Sequence, residues 1–394
     1  MQVVIATECR FIQDEQGLVC SDNGTRAYSF WSRYLSVFDS VKVVGRLCSG
    51  KSPAMQPVEG PGVIFCPLPG YVGPIEYWRN QRQVKDTIRQ VCSEDSAFIG
   101  RCPGMVSNIM IRELEKTGSP YAIEIVGDPY DIFAPGAVRH PLRPYFRWSF
   151  SRQLRKQAEN ACAAIYVTEN ALQRRYPCPG FTTYASNVEI GDSAYVSEPR
   201  VYNNGQSNFQ IVTVGSMAQM YKGFDVLIDA VADCSNSGLD LRLNIIGDGK
   251  HRAELEKQVR SLGLNDKIHF LGQLSAGEVV RQELDKADVF VLPSKTEGLP
   301  RAMIEAMSRA VPCIGSKVGG IPELLPEEDL VSPGSVKGLA CKIREVISDP
   351  ARMARMSARN LKKAKHYHID TLCERRNSFF QNLEKKTSDW QSKL

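Results

Sequence analysis

The chain has 394 residues, enough for two domains with a core each, and its 43% hydrophobic and 24% charged residues are ordinary globular values that exclude a disordered or fibrous chain. Net charge is +5 and evenly spread: residues 1–200 hold 22 Lys+Arg against 20 Asp+Glu and the remainder 27 against 24, which argues against a nucleic-acid-binding half. No apolar run approaches the length of a membrane span, and Met1-Gln-Val-Val-Ile-Ala reads as a strand with no basic region before it, so a cytoplasmic chain without a secretory signal is expected.

Strands and helices alternate along the chain. The first series predicts strands over 2–6, 41–44, 97–100, 121–126 and 164–167, and helices over 26–38, 81–92, 107–116 and 153–161. Residues 199–208, Pro-Arg-Val-Tyr-Asn-Asn-Gly-Gln-Ser-Asn, form a polar, turn-rich break that reads as a linker. The second series predicts strands over 209–214, 241–246, 268–271, 289–292 and 312–315, and helices over 223–234, 251–261, 278–287 and 301–309. A helical segment over 352–386 closes the chain. Such alternation predicts two α/β domains with parallel sheets facing each other across a cleft. The 12 scattered cysteines contain no Cys-x-x-Cys pair and read as free thiols, and the five histidines make no metal-ligand pattern, so no metal is expected.

The densest chemistry lies in residues 294–312, Ser-Lys-Thr-Glu-Gly-Leu-Pro-Arg-Ala-Met-Ile-Glu-Ala-Met-Ser-Arg-Ala-Val-Pro. Glu297 sits in a Gly/Pro loop after a predicted strand, and Glu305 on the helix that follows. Free N–H groups over Thr296–Leu299 and the positive helix end suit an anion, while the two carboxylates suit sugar hydroxyls. A sugar joined to a diphosphate matches that combination.

The second half resembles the nucleotide-binding domain of the retaining glycosyltransferases of family four, which have the GT-B fold of two Rossmann-like domains. The matching pieces, in the family's order, include Val212-Thr-Val-Gly-Ser, Lys222-Gly-Phe-Asp-Val-Leu-Ile-Asp-Ala, Leu243-Asn-Ile-Ile-Gly-Asp-Gly, Glu297-Gly-Leu-Pro, Ile304-Glu-Ala-Met and Lys317-Val-Gly-Gly-Ile-Pro-Glu. The resemblance covers about residues 209–345 and implies three parts: an acceptor-binding domain over 1–198, a nucleotide-sugar-binding domain over 199–365, and a last segment, 366–394, packing back on the first domain.

By the same resemblance, Lys222 contacts the donor phosphates, Glu297 approaches the donor sugar and Glu305 accepts bonds from ribose hydroxyls. Gly298 and Leu299 offer amides to the phosphates, Gly247 walls the nucleotide, and Gly272 lies beside the base. The bland readings are a solvated lysine, a helix-end charge, a solvated helix glutamate and plain strand–helix turns. Ser216 stands where many members carry an arginine, with Lys295 and Arg301 the nearest replacements in sequence, and Gly127 stands where many carry a histidine. Asp128, Glu124 and Arg101 are then candidates for the cleft: Asp128 to accept a bond from the acceptor or to cap the turn before Pro129, Arg101 to hold a phosphate. Asn23-Gly24-Thr25 fits the family's phosphate-facing loop after the first strand, or is an ordinary helix start.

Residues 139–156 carry five arginines and a lysine, no acid, and interleaved Tyr145, Phe146, Trp148 and Phe150. That mix suits an anionic membrane surface or a lipid-linked sugar acceptor, and equally a basic helix face with aromatics packed inward. The expected activity is retaining transfer of a hexosyl group from a UDP- or GDP-sugar to an acceptor hydroxyl in bacterial surface polysaccharide biosynthesis, with peripheral contact at the inner membrane and no separate cofactor. The alternatives are a soluble transferase making a small glycoside and a nucleotide-sugar-binding protein without turnover.

Overall fold

Short apolar runs bounded by Gly, Pro and polar residues become buried parallel strands, because helices on both faces remove them from water. The computed structural model describes residues 1–14, 16–21, 26–50, 56–135, 140–275 and 277–393. The first half contains β1 (Gln2–Gln13), β2 (Val19–Ser21), α1 (Tyr28–Trp31), β3 (Ser40–Ser49), β4 (Val63–Pro69), α2 (Gly73–Cys92), β5 (Ser96–Cys102), α3 (Met105–Thr117), β6 (Ala122–Ile125), α4 (Pro129–Ile132), α5 (Arg143–Asn160), β7 (Ala163–Tyr166), α6 (Ala171–Arg175) and β8 (Phe181–Tyr184). Among the described residues these strands form one sheet in the order β4-β3-β1-β5-β6-β7-β8, with β2 antiparallel to β1.

The second half contains β9 (Asn208–Val214), α7 (Phe224–Asn236), β10 (Asp240–Ile246), α8 (Arg252–Ser261), β11 (Ile268–Gly272), α9 (Glu278–Lys286), β12 (Val289–Leu292), α10 (Arg301–Ser308), β13 (Cys313–Ser316), α11 (Ile321–Leu324), β14 (Leu330–Val331), α12 (Val336–Ile347), α13 (Pro350–Ala364) and α14 (Ile369–Gln391). Its sheet runs β11-β10-β9-β12-β13-β14, all parallel, with Phe290 opposite Val212 and Cys313. The two sheets give the two α/β domains expected from the sequence.

The second series of elements falls within about two residues of its predicted bounds, as the uninterrupted apolar runs require. The first series departs further. β1 continues to Gln13 through a bulge between Ala6 and Arg10, hidden in the sequence by the polar Glu8 and Arg10. The proline-rich β4 and the short β8 lie near or at the sheet edges and carry weak strand signals. The helix expected over 26–38 is one α-turn followed by a 3-10 turn, Ser32–Ser36. Ser32 and Ser36 donate to backbone carbonyls of Ser29 and Arg33 at 3.3 and 2.9 Å, bonds that compete with a regular helix. The last helical segment is split into α13 and α14, and His368 Nδ1 caps α14 by accepting from the Asp370 N–H.

Helix α14 crosses back to the first sheet, against β5, β7 and β8. Phe379, Phe380 and Leu383 are fully buried there, and the Phe380 ring lies 4.7 Å from that of Tyr34. Among the described residues no helix is long and apolar enough to cross a membrane.

Candidate active site

The loop after β9 begins with Gly215 and Ser216 and passes through a 3-10 turn, Met220–Lys222. Gly223 follows with φ 72°, and a Cβ there would stand 2.2 Å from the Pro293 carbonyl oxygen, so a side chain is excluded. This turn lays the Lys222 methylenes over Gly215, where an added Cβ would meet them at 3.2 Å. The ammonium reaches Glu297 Oε1 at 2.6 Å, and Ser294 Oγ donates to the same oxygen at 2.7 Å. The Lys222 and Glu297 side chains are only 14% and 8% exposed, so the pair is largely withdrawn from water and each charge depends on the other.

Glu297 lies within the loop, residues 293–300, that leads from β12 into α10. Pro300 at the start of α10 supplies no capping side chain, and among the described residues the Gly298 and Leu299 N–H groups donate to nothing. They therefore remain available to an anion. Glu305 lies in the second turn of α10, half-buried, with a carboxylate that makes no hydrogen bond or ion pair among the described residues. Burial pushes its acid above the usual range, against a smaller opposite pull from Arg301 and Arg281.

Three strand-end loops stack into a wall beside Lys222. The Gly247 N–H donates to the Gly272 carbonyl at 2.8 Å, and a Cβ on Gly247 would stand 1.9 Å from the Gly215 carbonyl oxygen. Gly249 presses on the Met217–Ala218 backbone in the same way. These glycines permit the loops to touch, so their part in packing is as firm as any contact with a nucleotide. Ser216 is exposed and its Oγ accepts the Ala218 N–H at 3.1 Å. Of the two candidate cations, Lys295 pairs with Asp225 at 3.1 Å and lines the cleft, whereas Arg301 is exposed on α10.

The first domain meets this loop at the ends of β6 and β7. A Cβ on Gly298 would lie 3.2 Å from the Val126 carbonyl oxygen and 3.5 Å from Val167. A small cavity here is lined by Asp128, Thr168, Arg175, Glu297, Gly298 and Gly320. It adjoins one of about 500 Å³ lined by Asp131, Arg175, Lys295, Lys317 and Gly319, a size that suits a small-molecule ligand. Asp128 thus reaches the cleft, but both its oxygens are engaged. It caps α4 through the Tyr130 N–H at 2.9 Å, accepts the Tyr176 hydroxyl at 2.5 Å and pairs with Arg175. Arg101 and Glu124 do not line these cavities; they face each other in a buried ion pair. No histidine lines either cavity among the described residues, consistent with Gly127 at the strand end. Gly24, with Asn23 and Thr25, lies outside the described residues.

One contact escaped the sequence reading. Glu323, on α11 of the second domain, accepts the N–H groups of Glu169, Asn170 and Ala171 in the first domain at 2.6, 2.9 and 2.5 Å. Asn170 makes no side-chain cap to α6; Thr168 Oγ1 accepts the Leu172 N–H at 3.0 Å, and a carboxylate from across the cleft takes the three N–H groups before it. Gly320 fits beneath: its N–H donates to the Gly298 carbonyl at 2.6 Å, and a Cβ would crowd Thr168 at 3.0 Å. The Gly-Gly-Ile-Pro-Glu run was the available signal, but nothing local in it names a receptor 154 residues away.

The sequence model described as "Glycosyl transferases group 1" matches residues 197–363. Protein CapJ of Staphylococcus aureus is 23% identical over 92% of both chains. Among solved structures, sucrose-phosphate synthase from Thermosynechococcus elongatus superposes with a TM-score of 0.73 at 17% identity, over 98% of this chain and 99% of the other. Anabaena HepE, in complex with UDP and glucose, superposes with a TM-score of 0.65 at 16% identity, over 96% and 98%. The chain is therefore a two-domain protein of the GT-B fold. Its second domain is similar to the group 1 glycosyltransferases over residues 197–363, and these relatives support a transferase activity.

Glu323→Ala leaves three amides without their shared acceptor and removes a tie across the cleft. We expect a larger radius of gyration by small-angle scattering and kcat/KM lowered about tenfold or more, the scale of losing charge-assisted bonds. Unchanged scattering and rate would show that the domains are held by other contacts.

Proposed function

We propose that the cleft transfers a hexosyl group from a UDP- or GDP-sugar to an acceptor hydroxyl with retention of anomeric configuration. The observation that carries this reading is the desolvated Lys222–Glu297 pair in front of uncapped amides, with the unengaged Glu305 carboxylate one turn further along α10. The diphosphate would lie against Lys222 and the Gly298 and Leu299 amides, the ribose hydroxyls would donate to Glu305, and the hexose would face Glu297. As the sugar–phosphate bond breaks, negative charge grows on the leaving phosphate, and a fixed ammonium and fixed amides stabilise it there without reorganising. The leaving phosphate then takes the acceptor proton on the same face. Asp128, with both oxygens committed, serves in this scheme to position α4 and Arg175 rather than to touch substrate. The bound UDP and glucose of the structurally similar HepE support the choice of donor.

In this reading residues 1–198 bind the acceptor, 199–365 bind the donor, and 366–394 tie the two. Bacterial surface polysaccharide assembly in the cytoplasm is the setting we favour, by family analogy alone. A membrane-bound acceptor has support from the surface. On α5, Phe146 and Phe150 pack inward against Phe133, whereas Tyr145 and Trp148 are 57% and 61% exposed among arginines. Ile75 and Trp78 of α2 are likewise 68% and 72% exposed, near Arg79 and Arg82. Such surfaces bind anionic lipid headgroups.

Thermal-shift screening with UDP- and GDP-sugars, followed by turnover assays and NMR assignment of the product anomer, tests the activity. Lys222→Ala is expected to lower kcat about tenfold or more. Glu305→Gln is expected to weaken donor binding yet melt above the wild type at pH 7. Its raised acid makes the folded wild type lose stability as pH rises through the window above 4.5, so the variant's advantage fades towards pH 4. Wild-type binding in Glu305→Gln, or an inverted product, would refute the corresponding assignment. The double variant Trp78→Ala/Trp148→Ala is expected to lose co-sedimentation with phosphatidylglycerol vesicles; undiminished pelleting would exclude this surface.

A further inference from the structure

Asp128 reaches the cleft with both oxygens committed, but a second carboxylate stands three residues further on, in α4. Asp131 lines both cavities between the domains, the small one beside Glu297 and the one of about 500 Å³. Its Oδ1 accepts from Arg175 Nη1 at 3.1 Å, and its Oδ2 makes no hydrogen bond among the described residues. The side chain is only 20% exposed. Burial and the neighbouring Asp128 push its acid upward, against a smaller pull from Arg175 and Arg147. A carboxylate with one oxygen left bare in such a place is short of donors.

The rest of the larger cavity supplies donors and small apolar groups. Arg175 shares its wall with Asp131, and Lys295 and Lys317 line it from the loops after β12 and β13. Each cation has an acid partner: Arg175 has Asp128 and Asp131, Lys295 has Asp225, and Lys317 has Glu327. The lining therefore makes no demand for a bound anion. Arg175 uses Nη1 for both aspartates, and its Nε and Nη2 groups donate to nothing among the described residues. Ala134 and Val318 stand between these polar groups as short apolar side chains. An open carboxylate oxygen beside spare N–H donors, in a cavity of this size, suits a neutral polyhydroxylated ligand. The small cavity, which shares Asp131, Arg175 and Gly319, is also lined by Glu297, the residue that the proposed reaction sets beside the donor hexose.

We propose that the larger cavity is the acceptor subsite and that the acceptor is a sugar ring, with Asp131 Oδ2 accepting from one hydroxyl and Arg175 donating to its neighbour. The word acceptor rests on the transferase reading, whereas the sugar site stands on the lining of the cavity. A carboxylate only accepts and a guanidinium only donates, so together they match a pair of hydroxyls, each of which does both. In the transfer reaction the hydroxyl that reacts gives its proton to the leaving phosphate, so Asp131 bonds a different hydroxyl of the same ring. Vicinal hydroxyls meet both demands and a lone alcohol does not. Selectivity follows, because an analogue lacking the bonded hydroxyl leaves the half-buried carboxylate unpaired.

The test is saturation-transfer NMR on the full chain with UDP present, using the methyl glycosides of glucose, galactose, mannose and N-acetylglucosamine and their monodeoxy analogues. Binding of at least one glycoside is expected, weakened about tenfold or more in Asp131→Asn. One deoxy analogue of that glycoside should bind the wild type about tenfold more weakly than its parent, yet bind Asp131→Asn as well as the parent does, a coupling that a merely structural aspartate does not produce. Ala134→Phe, which fills the cavity and keeps the Asp131–Arg175 pair, should abolish glycoside binding. No glycoside binding to the wild type, equal deoxy losses in both proteins, or undiminished binding to Ala134→Phe overturns the proposal. Thermal stabilisation by UDP-glucose should survive in both variants; its absence from the wild type beside intact glycoside binding would sink the donor reading alone.

Discussion

Glu323 belongs to one domain and completes the hydrogen bonding of the other, and the geometry of the cleft follows from that crossing. Three amides at the start of α6 have no local acceptor, and the only carboxylate that serves them among the described residues arrives from α11. While the bonds hold, Gly320 sits against Thr168 and Gly298 against Val126, so the donor loop is pressed to the ends of β6 and β7. A side chain is excluded at Gly320 and would be tight at Gly298, so closure at this point is close to a backbone-to-backbone fit. The chain passes between the domains at the linker and again before α14, so any parting of the domains must bend both connections.

Within the second domain, rigidity has a different origin. Parallel strands buried on both faces fix where the loops leave the sheet, and close glycine contacts fix how those loops stack. The charged groups are thereby held on backbone that has little freedom, which is what electrostatic stabilisation of a leaving phosphate requires.

The sequence made these parts legible to unequal degrees. β12 and α10 could be bounded closely because Val-Phe-Val-Leu is an unbroken apolar run and the following helix has a Pro before it and a regular period. Lys222 and Glu297 could be placed in one site only by resemblance, since 75 residues separate a pair that ends in contact. Asp128 was legible as a cleft residue but not as a saturated one, because Arg175 and Tyr176 approach it from another strand–helix unit. The first domain was harder throughout. Its strands carry Arg101 and Glu124 at positions that pattern alone assigns to apolar residues, and its first helix is broken by serines that bond their own backbone. Where function demands buried charge, periodicity stops reporting structure.

The lysine–glutamate contact also sets terms for any ligand. The ammonium is neutralised by a tethered acid that never diffuses away. Under the proposed reading, an incoming diphosphate would share or displace that internal competitor, so part of its attraction would be spent before any affinity is measured. Ground-state capture is thereby loosened, whereas a phosphate gaining charge as it departs competes better than one still esterified. The same tether that weakens the initial grip thus tilts the balance towards the moment of bond cleavage.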